Sequence, residues 1–186
     1  MPYLMQPPET KPKSLCLAPW VHTYISPQSE RRLCCASREQ ARSFTQYIDA
    51  ADGEQEYAPQ TLAEHWNSPG IREVRRKMMA GEVPSECEVC NTKILNTDVY
   101  RDYFWHLFKH KYDDVWASTD ETGYTTMEPV SWDYRFSNLC NFKCRMCGDM
   151  LSSSWETEQK VHAMVDLTKP KNRWMQPAVR EKITAF

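Results

Sequence analysis

The sequence predicts a protein of the α+β or α/β class, in which a small cysteine-rich β-hairpin and several helices precede a strand–loop–helix unit. Apolar and polar residues alternate over residues 130–136, as they do in a strand. In the stretch 15–37, two strand-like segments flank residues that favour a turn. Two further stretches, 68–81 and 85–110, place apolar residues at helical spacing.

The chain begins with a predicted tail, followed by the hairpin. Residues 1–14 contain four prolines and are expected to form an extended tail. The two hairpin strands are expected on either side of a turn over residues 26–30. Residues 38–60 are polar and predict irregular structure, with a turn at Gly53.

Two helices are expected next. Ser68, followed by a proline in the first turn, predicts the start of the first helix, and Gly81 predicts its end. The second helix is expected to begin at Ser85, because Glu88 three residues later completes a capping-box pattern. Its apolar spacing continues to about residue 110.

The remaining residues predict a linker and a strand–loop–helix unit. Residues 112–128 are acidic and rich in turn-forming residues, which is typical of a linker. A helix from about residue 152 to residue 165 is expected after the strand and its loop. The predicted parts are therefore, in chain order, an extended tail (1–14), a cysteine-rich domain (15–111), a linker (112–128) and a second domain (129–186).

Composition excludes several functional classes. The 186 residues carry a net charge of −2, with a pI near 6.2, so no basic field indicates a nucleic-acid partner. Mean hydropathy is −0.70 and no apolar stretch is long enough for a membrane span. The N-terminus lacks the features of a secretory signal. The eight cysteines are therefore expected to be metal ligands or reduced thiols, in a cytoplasmic protein.

Three cysteines follow the predicted strand at the spacing C-x3-C-x2-C: Cys140, Cys144 and Cys147. Thiolates at short spacing hold iron–sulfur clusters. A structural zinc site usually needs four ligands, often as two separated pairs. Three thiols without a fourth nearby therefore favour a cluster with one metal position left open. We expect these thiols to converge at the C-terminal end of the strand.

The N-terminal half contains five more cysteines: Cys16, Cys34, Cys35, Cys87 and Cys90. A hairpin would bring the first of them near the adjacent pair at its end. Cys87 and Cys90 share one face of a first helical turn, where the helix dipole favours thiolates. We expect a second metal site from these parts, with either Cys34 or Cys35 as one ligand. Zinc is the alternative to iron at this site.

The motif at Cys140, Cys144 and Cys147, directly after a strand, resembles the signature of radical S-adenosylmethionine (radical SAM) enzymes. The resemblance implies a [4Fe-4S] cluster on these cysteines, whose fourth iron binds S-adenosylmethionine. One electron from that cluster then cleaves the sulfonium to a 5′-deoxyadenosyl radical. It also implies that residues 129–186 begin a partial (β/α)6 radical SAM barrel with its first βα unit. Met146 stands where the family often has an aromatic residue.

Residues 15–90 resemble a twitch (half-SPASM) domain, which binds an auxiliary [4Fe-4S] cluster in radical SAM enzymes. The resemblance rests on Cys16 with the following Leu-Ala-Pro-Trp, on Cys34-Cys35, on Glu64-His-Trp-Asn-Ser, on Arg75-Arg-Lys-Met-Met-Ala-Gly-Glu and on Cys87-x2-Cys90. It implies that these cysteines hold the auxiliary cluster. The family usually has a glycine in the hairpin turn, where this chain has Gln28-Ser29-Glu30.

The resemblance implies an enzyme that cleaves S-adenosylmethionine reductively, with a peptide or protein as substrate and flavodoxin or ferredoxin as reductant. The glycine-rich motif and the later barrel strands of the family are absent. We therefore expect the chain to be the N-terminal portion of such an enzyme, able to bind both clusters but not to sustain turnover alone. The alternatives are a catalytically incomplete iron–sulfur electron-transfer protein and a zinc-stapled interaction module.

Overall fold

A computed structural model of the protein describes residues 7–37, 46–49, 51, 53, 55–91, 99–162, 164 and 176–185. The helices are α1 (Ala18–Val21), α2 (Leu62–Trp66), α3 (Pro69–Met79), α4 (Val99–Phe108), α5 (Tyr112–Ser118), α6 (Ser153–Val161) and α7 (Pro177–Thr184). The strands are β1 (His22–Ile25), β2 (Arg31–Arg32), β3 (Tyr47–Asp49), β4 (Gln55–Tyr57) and β5 (Ser131–Tyr134), and two 3₁₀ helices span Ser85–Cys90 and Lys109–Lys111. The protein is therefore of mixed α+β architecture, as the sequence predicts.

The predicted hairpin and the predicted strand belong to one sheet with the order β2-β1-β5. Strands β1 and β2 are antiparallel and form the hairpin. Strand β5 pairs with β1 in parallel, with His22 opposite Ser131 and Ile25 opposite Tyr134. This sheet joins the two parts that the sequence analysis separated, although the division into domains itself stays a prediction. A second small sheet, β3–β4, lies within the segment predicted to be irregular.

The hairpin turn contains a serine in a conformation that favours glycine. Ser29 has a φ of +64°, in the left-handed region. Its N–H donates to the Ser26 carbonyl, and Ser26 Oγ accepts from the N–H groups of Gln28 and Glu30. This network explains how the turn forms without the glycine that the twitch family usually has there.

The main core lies between the hairpin and the helices α1, α3, α4 and α5. Its largest fully buried side chains include Trp20, Trp116 and Met78. Because Trp116 belongs to α5, part of the segment 112–128 that the sequence predicted to be a linker is helical and packs into this core. Its acidic residues Asp113 and Asp114 lie in the first turn of α5, where they complement the helix dipole.

The helix expected from Ser85 to residue 110 differs from the structure at its start. Residues 85–90 form a 3₁₀ helix, with Pro84 at the N-cap position. Ser85 is therefore already inside the first turn, and its hydroxyl donates to the Glu86 carboxylate instead of forming the predicted capping box. Residues 92–98 lie outside the described part of the chain, so the continuity of this helix stays a prediction.

Helix α7 packs against the same sheet as the hairpin. Val179 and Ile183 form a smaller apolar cluster with Ile25 of β1. The buried Arg31 side chain links three segments here, since it donates to the carbonyls of Gln60 and Ile183 and to the Tyr134 hydroxyl. Over the described ranges, every helix is too short or too polar to cross a bilayer.

Candidate functional site

Four of the five N-terminal cysteines line one cavity: Cys16, Cys34, Cys87 and Cys90. The cavity contains about 410 Å³ of empty space, part of which is open to solvent. Most of the other side chains around it are apolar, among them Leu33, Met78 and Phe104. The fold therefore brings together thiols that lie up to 74 positions apart in the sequence.

Local hydrogen bonds explain how each cysteine reaches this cavity. Cys16 lies two residues before α1, and Cys34 lies two residues after β2 of the hairpin. The Ser37 hydroxyl donates to the Cys34 carbonyl and so tightens the turn that carries Cys34. Cys87 and Cys90 lie three residues apart on the 3₁₀ helix, where side chains at this spacing eclipse one another. Asn91 ends this helix, and its side-chain amide donates to the Cys87 carbonyl.

The structure separates the two adjacent cysteines at the end of the hairpin. Cys34 lines the cavity, whereas Cys35 is exposed and lies outside it. Partial burial of its sulfur raises the pKa of the Cys35 thiol, while the charge of Arg135 lowers this pKa and that of Asp133 on β5 raises it. The sequence had left the choice between the two residues open. In the structure, Cys34 is the one that joins the other three thiols.

The cavity disfavours a free thiolate at its most buried position. Burial raises the pKa of the Cys16 thiol to about 12, and the nearby Cys90 thiol contributes to this rise. The positive charges of Arg101 and Lys11 act in the opposite direction. A coordinated metal ion deprotonates such a thiol outright, because the ion outweighs the other charges at the site.

The C-terminal cysteines lie on a loop between β5 and α6 that hydrogen bonds fasten at both ends. The buried Asn138 donates through its amide to the Asp149 carbonyl and to the Glu156 carboxylate. The Cys140 N–H donates to the Ser153 hydroxyl at the start of α6. Further along the loop, the indole of Trp155 donates to the Cys144 carbonyl. Helix α6 thus positions the backbone of the loop, and none of these hydrogen bonds involves a thiol group.

The side chains of this loop lie near the surface. Cys144 is exposed, and Cys140 and Cys147 are half-buried. The apolar side chain of Met146 is 91% exposed, and that of Phe142 is also largely exposed. The Phe142 N–H donates to Cys140 Sγ at 3.4 Å.

Within the ranges that the structure describes, no three His, Cys, Asp or Glu side chains are grouped closely enough to hold a metal ion. The expected metal-binding groups are therefore not seen at either cysteine set: Cys140, Cys144 and Cys147 follow the C-terminal end of β5 without converging, and Cys16, Cys34, Cys87 and Cys90 line one cavity without forming such a group. Both sets of cysteines still provide the type of ligand that iron–sulfur clusters need. One cavity is lined by four thiols and apolar groups, and one fastened loop carries three thiols.

Sequence reasoning missed the residues that position these cysteines. Arg101 lines the four-cysteine cavity, and Asn138 fastens the loop that carries the C-terminal cysteines. Their partners are distant in the sequence, so no local pattern could have identified them.

Comparisons of the chain with protein-family models, with curated proteins and with solved structures found no match.

Proposed function

We propose that this protein is a radical SAM enzyme in which Cys140, Cys144 and Cys147 hold a [4Fe-4S] cluster. When bound, such a cluster supplies the electron that cleaves S-adenosylmethionine reductively. One observation above all supports the proposal: the three cysteines share a loop that directly follows a parallel strand and is fastened by α6. Three thiols leave one metal position for the S-adenosylmethionine that the resemblance implies. Strand β5 and helix α6 would then be the first βα unit of a partial (β/α)6 barrel.

The residues around this loop hold it in place. Ser153 and Ser154 both donate from their hydroxyls to the Cys140 carbonyl. The Ser152 hydroxyl donates to the Phe142 carbonyl. These bonds fix the backbone on the N-terminal side of the motif before any metal binds, which lowers the entropic cost of gathering three thiols.

We further propose that Cys16, Cys34, Cys87 and Cys90 hold an auxiliary [4Fe-4S] cluster. The common cavity of these four thiols supports this ligand set, and Cys35 does not line that cavity. The apolar surroundings suit a cluster that is shielded from water.

The substrate class and partners follow from the same resemblance. We propose a peptide or protein substrate, a flavodoxin or ferredoxin as electron donor, and a cytoplasmic location. Neither nucleic acid nor a membrane is part of the proposal.

The test is anaerobic reconstitution of the whole chain with iron and sulfide, followed by iron and sulfide analysis. Reduction with dithionite and electron paramagnetic resonance (EPR) spectroscopy before and after addition of S-adenosylmethionine then report on the open metal position. A variant with Cys140, Cys144 and Cys147 all changed to serine isolates the auxiliary site. Cys34→Ser and Cys35→Ser form a matched pair of adjacent substitutions.

We expect two clusters in the natural sequence and one in the triple variant. S-adenosylmethionine should alter the EPR spectrum of the natural sequence and of Cys34→Ser but not that of the triple variant. Cys34→Ser should lose the auxiliary cluster, whereas Cys35→Ser should keep it. Uptake of zinc without iron would refute the proposal in favour of an interaction module. Two clusters whose EPR spectra do not change on addition of S-adenosylmethionine would refute the proposal in favour of an electron-transfer protein.

A further inference from the structure

A buried arginine also lines the cavity of the four N-terminal cysteines. Arg101 lies on α4, and its residue surface is only 4% exposed. It lines the same cavity as Cys16, Cys34, Cys87 and Cys90. Arginine is charged at any physiological pH, so this side chain brings a permanent positive charge to the thiols.

Two hydrogen bonds from Arg101 connect the segments that carry the cysteines. Nη1 donates to the Lys13 carbonyl at 2.8 Å, three residues before Cys16. Nη2 donates to Asn91 Oδ1 at 2.8 Å, directly after Cys90. Asn91 in turn donates to the Cys87 carbonyl at 3.1 Å. The rigid fork of the guanidinium therefore holds the N-terminal segment against the 3₁₀ helix of Cys87 and Cys90.

The charge of Arg101 acts on the redox state as well as on the geometry. A cluster with four thiolates carries a net negative charge, and each electron that it accepts adds another. A nearby positive charge in a site shielded from water stabilises the reduced form more than the oxidised form. Glu86 also lines the cavity, and its negative charge acts with the opposite sign.

We propose that Arg101 is a positioning residue of the auxiliary site, which fastens its two cysteine-bearing segments and raises the reduction potential of the cluster bound there. The inference rests on the proposed function, because it requires an iron–sulfur cluster at this cavity. The cluster takes one electron from the flavodoxin- or ferredoxin-type donor, or from dithionite in the test.

The test uses the whole chain with Cys140, Cys144 and Cys147 changed to serine, so that only the auxiliary cluster contributes a signal. In this parent, Arg101→Gln removes the charge, Arg101→Lys keeps the charge but not the fork, and Glu86→Gln removes the opposing charge. Arg76→Gln is the control, since it removes an exposed arginine of α3 that does not line the cavity. The readouts are iron content, the rate of iron loss to a chelator, and the midpoint potential from an EPR-monitored redox titration.

We expect Arg101→Gln to shift the equilibrium towards the oxidised cluster about tenfold, which is a fall of about 59 mV in midpoint potential for one electron. Glu86→Gln should raise the potential, and Arg76→Gln should leave it unchanged. Arg101→Lys should keep the potential of the parent but lose iron faster, because the forked contact is gone.

Failure of Arg101→Gln to take up iron, with uptake by Arg101→Lys at the potential of the parent, would also support the proposal, because the charge is then required. An unchanged potential in Arg101→Gln, or a rate of iron loss to the chelator equal to that of the parent in both Arg101 variants, would overturn it. A parent that takes up no iron would overturn the auxiliary-cluster proposal itself. The two failures are therefore distinguishable.

Discussion

The contact between Trp20 and Thr119 allows a sharp test of whether residues 112–128 belong to the folded core. Trp20 and Thr119 are both fully buried and lie 99 positions apart. Trp20 Nε1 donates to Thr119 Oγ1 at 2.9 Å, and this hydroxyl donates to the Val115 carbonyl at 2.6 Å. Thr119→Val keeps the shape of the side chain and removes both bonds.

The expected cost follows from these two bonds. An unpaired buried N–H costs about 1–3 kcal/mol, and the lost bond to the Val115 carbonyl adds about 1 kcal/mol. The extra methyl group of valine offsets about 0.8 kcal/mol. We therefore expect Thr119→Val to lower the free energy of unfolding by about 2 kcal/mol. For a chain of this length, the melting temperature should fall by about 4–8 °C.

Urea denaturation followed by tryptophan fluorescence measures this change, and Thr126→Val is the matched control. Thr126 is exposed and its side chain lies outside the core, so its substitution should change stability by less than about 0.5 kcal/mol. In a double-mutant cycle, Trp20→Phe should make Thr119→Val less costly, because the indole N–H is already absent. Equal stabilities of the Thr119 and Thr126 variants would mean that this segment is a linker after all.

Two further predictions concern the packing of α2 and α3. Gly123→Ala should destabilise the protein by more than about 2 kcal/mol in chemical denaturation, because Gly123 has a φ of +78° and an added Cβ would overlap the Arg72 carbonyl. Gly81 has the same φ, but the space around an added Cβ is open there, so Gly81→Ala should destabilise the protein less. Equal losses of stability in the two variants would refute the clash at Gly123. Burial and nearby guanidinium groups lower the pKa of His65 to about 3, so that the unfolded chain alone binds a proton between pH 6.5 and about 3. The free energy of unfolding should have its full value above pH 6.5 and fall by about 1.4 kcal/mol per pH unit below it. A His65→Gln variant whose free energy of unfolding falls as steeply as that of the natural sequence would contradict this origin.

Patterns among neighbouring residues predicted much of the local structure. The alternation over 130–136 predicted β5, and the serine–proline start with Gly81 at the end predicted α3. The spacing of Cys140, Cys144 and Cys147 predicted that three thiols share a loop after a strand. Each of these features depends on backbone preference and side-chain direction within a few residues, so the local sequence contains the necessary information.

Similar local patterns failed where a distant contact changed their meaning. The acidic residues 112–128 resemble a linker, but Trp116 is buried against helices that lie far away in the sequence. The capping-box pattern at Ser85 was overridden because Pro84 takes the N-cap position. Thr61 and Glu64, for which no helix cap was predicted, form a complete capping box instead.

The same distinction between local patterns and distant contacts applies to the candidate sites. The sequence by itself determined which residues can bind metal, because thiols are recognisable wherever they occur and a C-x3-C-x2-C spacing is local. Only the tertiary structure decided that Cys34 rather than Cys35 joins Cys16, Cys87 and Cys90, and that Arg101 lies among them. It also decided that β5 pairs in parallel with β1. These outcomes depend on burial and on hydrogen bonds between segments up to 111 positions apart, and no pattern of neighbouring residues records such contacts.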